Sequence, residues 1–202
     1  MNQYHKIQTV WNRNPDDKHR TLIEGEYSRP EFEYLAGNPW AWTEKVDGTN
    51  IRVMVYPSHD TEANPAQREI TFGGKTDNAN IPAKLFESLC HTFLTQTETI
   101  QAKFPDGACL YGEGFGASIQ KGGGNYRPDQ GFVLFDVGIG DWWLQRSGVE
   151  DVAKTLDIPV VPIVGEGTLP EMIEFVRAGF NSSWGNFQAE GVVARPCTEL
   201  RD

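Results

Sequence analysis

The sequence is poor in cysteine, in basic residues and in long apolar runs, and each shortage excludes a class of protein. Its three cysteines, Cys90, Cys109 and Cys197, stand far apart in 202 residues. That rules out a disulfide framework and fits no zinc spacing. They read as reduced thiols of a cytoplasmic protein. No stretch approaches the roughly eighteen uninterrupted apolar residues that span a bilayer, so no membrane partner is expected. The opening MNQYHKIQTVWNRNPDDKHR lacks the apolar core of a signal peptide. Lysine and arginine number 18 against 28 acidic residues, a formal net charge of −10. Such a chain gains no long-range attraction for nucleic acid, whose binding rests on phosphate neutralisation by Lys and Arg. Any role on nucleic acid must use a local basic groove, or a basic partner.

What is present is enough for one substantial core: 39% of the residues are hydrophobic. There is no internal repeat and no convincing linker, so residues 1–202 are expected to form one domain. Ile51, Val53 and Val55 recur at the period of a half-buried strand. REITFGG, ACLYGEGFG, GFVLFDVGI, DWWLQ, VVPIVGE and AEGVVARP are further strand candidates. The polar stretch Tyr56–Glu69 reads as a long hairpin loop. Helices are fewer. IPAKLFESLCHTFLTQ spaces Leu85, Leu89 and Phe93 at helical intervals. SGVEDVAKTL and TLPEMIEFVRAG each open with a capping-box pattern, Ser147 to Glu150 and Thr168 to Glu171, and the second closes on Gly179. Strands interrupted irregularly by short helices predict an α+β fold with largely antiparallel sheets.

The stretch TEKVDGTNIRV sets Lys45 just before Asp47 and Gly48. Asp-Gly is a common hairpin turn, and a surface hairpin with a solvated lysine is the ordinary explanation. Three later segments argue for a reactive lysine instead. YGEGFG places Glu113 in a strand ending in glycines. GFVLFDV carries Phe132, Phe135 and Asp136. AEGVVARP sets Glu190 before an apolar strand. Each glutamate alone suits a solvent-facing strand end, and each phenylalanine suits a core; the ordered set is what those readings leave unexplained. The glycine run in IQKGGGNY suits either a flexible turn or a backbone approach to RNA phosphate, with Lys121 and Arg127 supplying charge.

In that order the segments resemble the covalent nucleotidyltransferase superfamily. Within it they are most similar to the ATP-dependent RNA ligases typified by the second ligase of phage T4. The matching motifs are KVDGTN, FGGKTDNANIP, YGEGFGASIQKGGGNY, FVLFDV and EGVVARP, and they cover the chain from about Trp42 to Pro196. The resemblance implies a nucleotidyltransferase (ligase adenylylation domain) fold around a nucleotide groove. It also implies lysine-AMP formation, and sealing of 5′-phosphate to 3′-hydroxyl ends of nicked or broken RNA.

By that resemblance Lys45 is the catalytic nucleophile that attacks the α-phosphorus of ATP. It can do so only as the neutral amine. Glu44, Asp47, Gly48, Asn50, Lys75, Glu113, Phe132 and Glu190 are the implied nucleotide-binding residues. Asn50 and Glu113 would serve the ribose, Phe132 would stack on adenine, and Glu190, with Glu113, would hold hydrated Mg2+ (or Mn2+). Lys75 stands where the phage enzyme has arginine, a point charge in place of a fork. The family's last motif, a K-x-K strand that grips the α-phosphate, is not found. Those lysines are therefore expected from a C-terminal segment beyond this sequence or from a partner. A non-catalytic nucleotide- or RNA-binding relative, and a DNA ligase or capping-type enzyme, are the alternative readings.

Overall fold

The computed structural model describes residues 3–57 and 70–198. The chain divides into two compact units, one of residues 1–4, 46–161 and 184–187, the other of residues 5–45, 162–183 and 188–202.

The first unit is built on a five-stranded antiparallel sheet in the order β5-β4-β6-β7-β8. Its strands are β4 (Thr49–Val55), β5 (Ile70–Gly73), β6 (Ala108–Gly116), β7 (Gln130–Ile139) and β8 (Trp142–Trp143). One face is apolar because Ile51, Val53 and Val55 alternate out of β4 beside Leu110 of β6 and Phe132 and Leu134 of β7. Helices Ala83–Leu89, Thr97–Lys103 and Arg146–Thr155 cover it with Leu85, Leu89, Ile100, Val149 and Val152. The first helix runs on into a π-helical turn, Cys90–Leu94, that carries Phe93 into the same core. Full burial of a side chain of that size is worth roughly 1.5–3 kcal/mol. The opposite face of β4 and β6 is mixed. It carries Asn50, Arg52, Tyr111 and Glu113, because these alternate with the core residues. A second, smaller cluster of Val46, Phe115, Tyr126, Val133 and Val161 lies in this unit, with Phe135 packed against it.

The second unit has a three-stranded antiparallel sheet, β10-β3-β9, and a hairpin of β1 and β2. Its strands are β1 (Trp11–Arg13), β2 (Leu22–Tyr27), β3 (Trp40–Glu44), β9 (Ile163–Gly167) and β10 (Val192–Pro196). Helix Leu169–Ala178 packs Leu169 and Met172 against Trp40 and Trp42 of β3. The expected capping box is formed: Thr168 and Glu171 satisfy each other's backbone N–H groups, and Gly179 ends the helix at φ +74°.

Most of the strand readings hold, and the fold is α+β with antiparallel sheets. Three readings change. Asp47-Gly48 is no hairpin turn, since β3 and β4 belong to different sheets. Ser147 is not the cap: helix Arg146–Thr155 has Gln145 at its N-cap, two residues before the expected one, so Ser147 lies inside the first turn. DWWLQ contributes only Trp142–Trp143 as strand. The three cysteines are free thiols, Cys109 buried and Cys197 exposed. Most of the loop expected over Tyr56–Glu69 falls outside the described residues.

Candidate active site

In the second unit, pairing of β3 with β10 brings two motifs together. Val192 stands opposite Glu44, and the ladder continues outward as the Lys45 N–H donates to the Gly191 carbonyl at 2.9 Å. That leaves Lys45 and Glu190 side by side, and the lysine Nζ forms an ion pair with Glu190 Oε1. Both side chains stay accessible, 49% and 38% exposed. Glu44 points the other way and is 1% exposed. Its carboxylate accepts from the Ser182 hydroxyl and from the Ser183 N–H. A buried carboxylate so engaged is a structural clamp on the 182–183 turn. The nucleotide contact expected of Glu44 is therefore not available to its side chain.

In the first unit, Asn50 of β4 and Glu113 of β6 are direct cross-strand partners, so both project from the same face. Asn50 Oδ1 is buried without a hydrogen-bond partner. An orphaned acceptor of this kind carries a desolvation penalty until a donor arrives. Gly48 explains how β4 begins so close to Glu113. A Cβ there would overlap the Gly114 carbonyl oxygen and lie 2.8 Å from the Glu113 Cγ. The glycine is thus required by close approach of the backbone, a reason the hairpin reading did not contain.

Phe132 does not lie with these residues. It is 4% exposed in the helix-covered core, edge-on to Phe93 at 5.3 Å. The register pairs Gly114 with Phe132 and Glu113 with Val133, so Phe132 and Glu113 face opposite sides of the sheet. This placement runs against stacking of Phe132 on adenine. A bulge then inserts Phe135 between the Gly112–Leu134 and Tyr111–Asp136 pairs. Phe135 packs against the cluster of Val133 and stands edge-on to Tyr4 at 5.0 Å.

Three side chains escaped sequence reasoning. The Gln120 amide donates to the Gly48 carbonyl at 2.8 Å, and the Tyr126 phenol accepts from the Asp47 N–H at 3.2 Å. Both come from the glycine-run loop, which is therefore no loose turn. A Cβ at Gly123 would overlap the Gly116 carbonyl, so the glycines let the loop fold back and hold the Asp47-Gly48 backbone. Within that loop Arg127 is bonded to Asp129 and lies over Phe115 at 5.6 Å, whereas Lys121 is exposed. The third residue is Arg52, 1% exposed. Its Nε donates to the Gly74 carbonyl at 2.9 Å and its Nη2 to Asp77 Oδ1 at 2.7 Å. Those bonds hold the Asp77 carboxyl below the usual range. Lys75 sits between these two contacts and is exposed. Burial pushes the Cys109 thiol up and likewise the Tyr111 phenol. Cys109 is thus kept as the thiol rather than the nucleophilic thiolate.

The antiparallel α+β fold, in which Lys45 just past β3 meets Glu190 just before β10, is of the nucleotidyltransferase type. The chain belongs to the RNA ligase family, whose family model matches residues 38–202. Solved structures of Naegleria gruberi RNA ligase share the fold. A variant with ATP and Mn is 22% identical with a TM-score of 0.64, covering 83% of this chain and 48% of that one. A variant with AMP and Mn is 20% identical with a TM-score of 0.63, covering 83% and 49%. The enzyme with PPi is 22% identical with a TM-score of 0.64, covering 83% and 49%. The chain thus spans about half the length of the solved chains it matches. No curated protein matches it.

Proposed function

We propose that this chain is the adenylyltransferase part of an ATP-dependent RNA ligase that seals 5′-phosphate to 3′-hydroxyl RNA ends. The observation that carries the reading is the Lys45–Glu190 pair set up by the β3–β10 register. Lys45 Nζ forms a bond to the α-phosphorus of ATP, and the bond from that phosphorus to the pyrophosphate oxygen breaks. The amine must first lose its proton and leave Glu190, because an ammonium held by a carboxylate has no free lone pair. Asn50 and Glu113 suit the ribose: both offer acceptors on one sheet face, and the Asn50 oxygen lacks a donor that a hydroxyl would supply. Phe135, on the side of Val133, is the better aromatic for adenine than Phe132. Asp47 and Gly48 act through their backbone, held by Tyr126 and Gln120.

Glu190 would hold hydrated Mg2+ or Mn2+. Among the described residues no group of three or more His, Cys, Asp and Glu stands ready as a metal cage. A cation bound through few carboxylates, water and phosphates suits that donor set. When bound, it offsets charge on the transferring phosphorus and the leaving pyrophosphate. We assign the α-phosphate lysines of the family's last motif to a further segment or a partner. Arg52 and Arg127, cations within the matched motifs, are already engaged by Asp77 and Asp129. The free thiols support a reducing, cytoplasmic setting. Incubation with α-labelled ATP, α-labelled GTP or adenylate-labelled NAD, with magnesium, tests the reading. Label that stays on the denatured protein through alkali and is released by acid, from ATP alone, supports it. Label from GTP or NAD instead would assign the chain to another branch.

A further inference from the structure

We propose that Arg52 is a positioning residue for Lys75, bracketing the turn that presents this lysine to the nucleotide. The inference rests on the reading of Lys75 as a nucleotide contact and adds the device that holds it. A guanidinium that is 1% exposed must find partners for its charge and its donors, or the fold loses several kcal/mol. Arg52 finds two partners in one short turn. Its Nε takes the Gly74 carbonyl, the residue before Lys75, and its Nη2 takes Asp77, two residues after it. The Gly73 backbone leaves room for this, since a Cβ there would come within 3.1 Å of the guanidinium. The turn closes on itself through the Ala79 N–H to the Thr76 carbonyl at 3.1 Å.

Lys75 is the residue between the two clamped points, and its side chain is exposed while the backbone on both sides is fixed. A lysine is a flexible point charge with no fork to fix its own geometry. Holding its backbone lowers the ordering cost of a contact with phosphate or ribose. Arg52 and Asn50 project from the same face of β4, two residues apart. One strand thus supplies a ribose acceptor and the anchor of the neighbouring cation. Arg52 itself makes no nucleotide contact in this account, because its donors are directed into the turn.

A double-mutant cycle separates positioning from plain stability. Asp77 is 76% exposed at its side chain, so Asp77→Asn removes the anionic partner with little risk to folding. Nucleotide affinity is measured by titration with ATP for the wild type, Asp77→Asn, Lys75→Ala and the double variant, with melting temperature recorded for each. The expected result is that Asp77→Asn weakens ATP binding by at least about threefold, and that this loss disappears in the Lys75→Ala background. Arg52→Lys, which keeps charge but cannot reach both partners, should behave as Asp77→Asn does. An equal loss with and without Lys75, or no loss at all, overturns the positioning role. If Lys75→Ala alone leaves ATP affinity unchanged, the Lys75 reading fails and this proposal falls with it. Label transfer to the protein would still report separately on the ligase reading.

Discussion

Phe132 and Phe135 show how much hangs on one residue's side of a sheet. Phe132 is packed against Phe93 and the helices, so Phe132→Ala should remove about 3–5 kcal/mol of stability. That corresponds to a fall of roughly 6–20 °C in melting temperature for a chain of this size. Phe135→Ala should leave most of the stability and weaken ATP binding by about 1–3 kcal/mol, the scale of a lost stacking contact. Calorimetry on both variants with ATP titration checks the pair. The reverse pattern would return adenine stacking to Phe132. Gly48 makes a second residue-scale case. Gly48→Ala drives a methyl group onto the Gly114 carbonyl and the Glu113 side chain, and overpacking of this kind costs about 1–3 kcal/mol. Because the displaced atoms belong to Glu113 and its strand, label transfer from ATP should fall far more than the melting temperature does.

Among the elements, the helix Leu169–Ala178 was the most legible, because its start is written in local chemistry. Thr168→Ala should cost about 1 kcal/mol at neutral pH through loss of the cap. Glu171 is the reciprocal partner, and its bonds to Thr168 hold its carboxyl below the usual range. A lowered carboxylate contributes stability that is present above the ordinary value and lost as pH falls through the lowered one. The Thr168→Ala difference in melting temperature should therefore shrink on acidification through that window. A difference constant from neutral to acid would mean that the bond from the Thr168 hydroxyl to the Glu171 carboxylate contributes nothing. The Ser147–Glu150 pattern reads the same way in sequence, yet the chain enters that helix at Gln145. The pattern names a possible cap, and the backbone, extended at Gln145 and helical from Arg146, passes Ser147 by.

At the scale of the molecule, the order of motifs was visible in the sequence and their faces were not. Lys45, Glu113 and Glu190 stood out because charged residues beside glycines in apolar strands are few. Period two places Phe132 and Phe135 on opposite faces but cannot say which face is which, and the bulge at Phe135 is invisible without the β6 pairing. Gln120, Tyr126 and Arg52 act across distant loops, so nothing local marks them. The charge of −10 remains a count against unaided RNA binding, which is why the central claim is best tested on the nucleotide step. After reaction of the protein with α-labelled ATP and magnesium, peptide mapping at alkaline pH should locate a single AMP adduct on Lys45, stable to alkali and released by acid as a P–N bond is. The Lys45→Ala protein should carry none, while Lys121→Ala should keep it. An adduct on any other residue, or label persisting in the Lys45→Ala protein, would contradict the account.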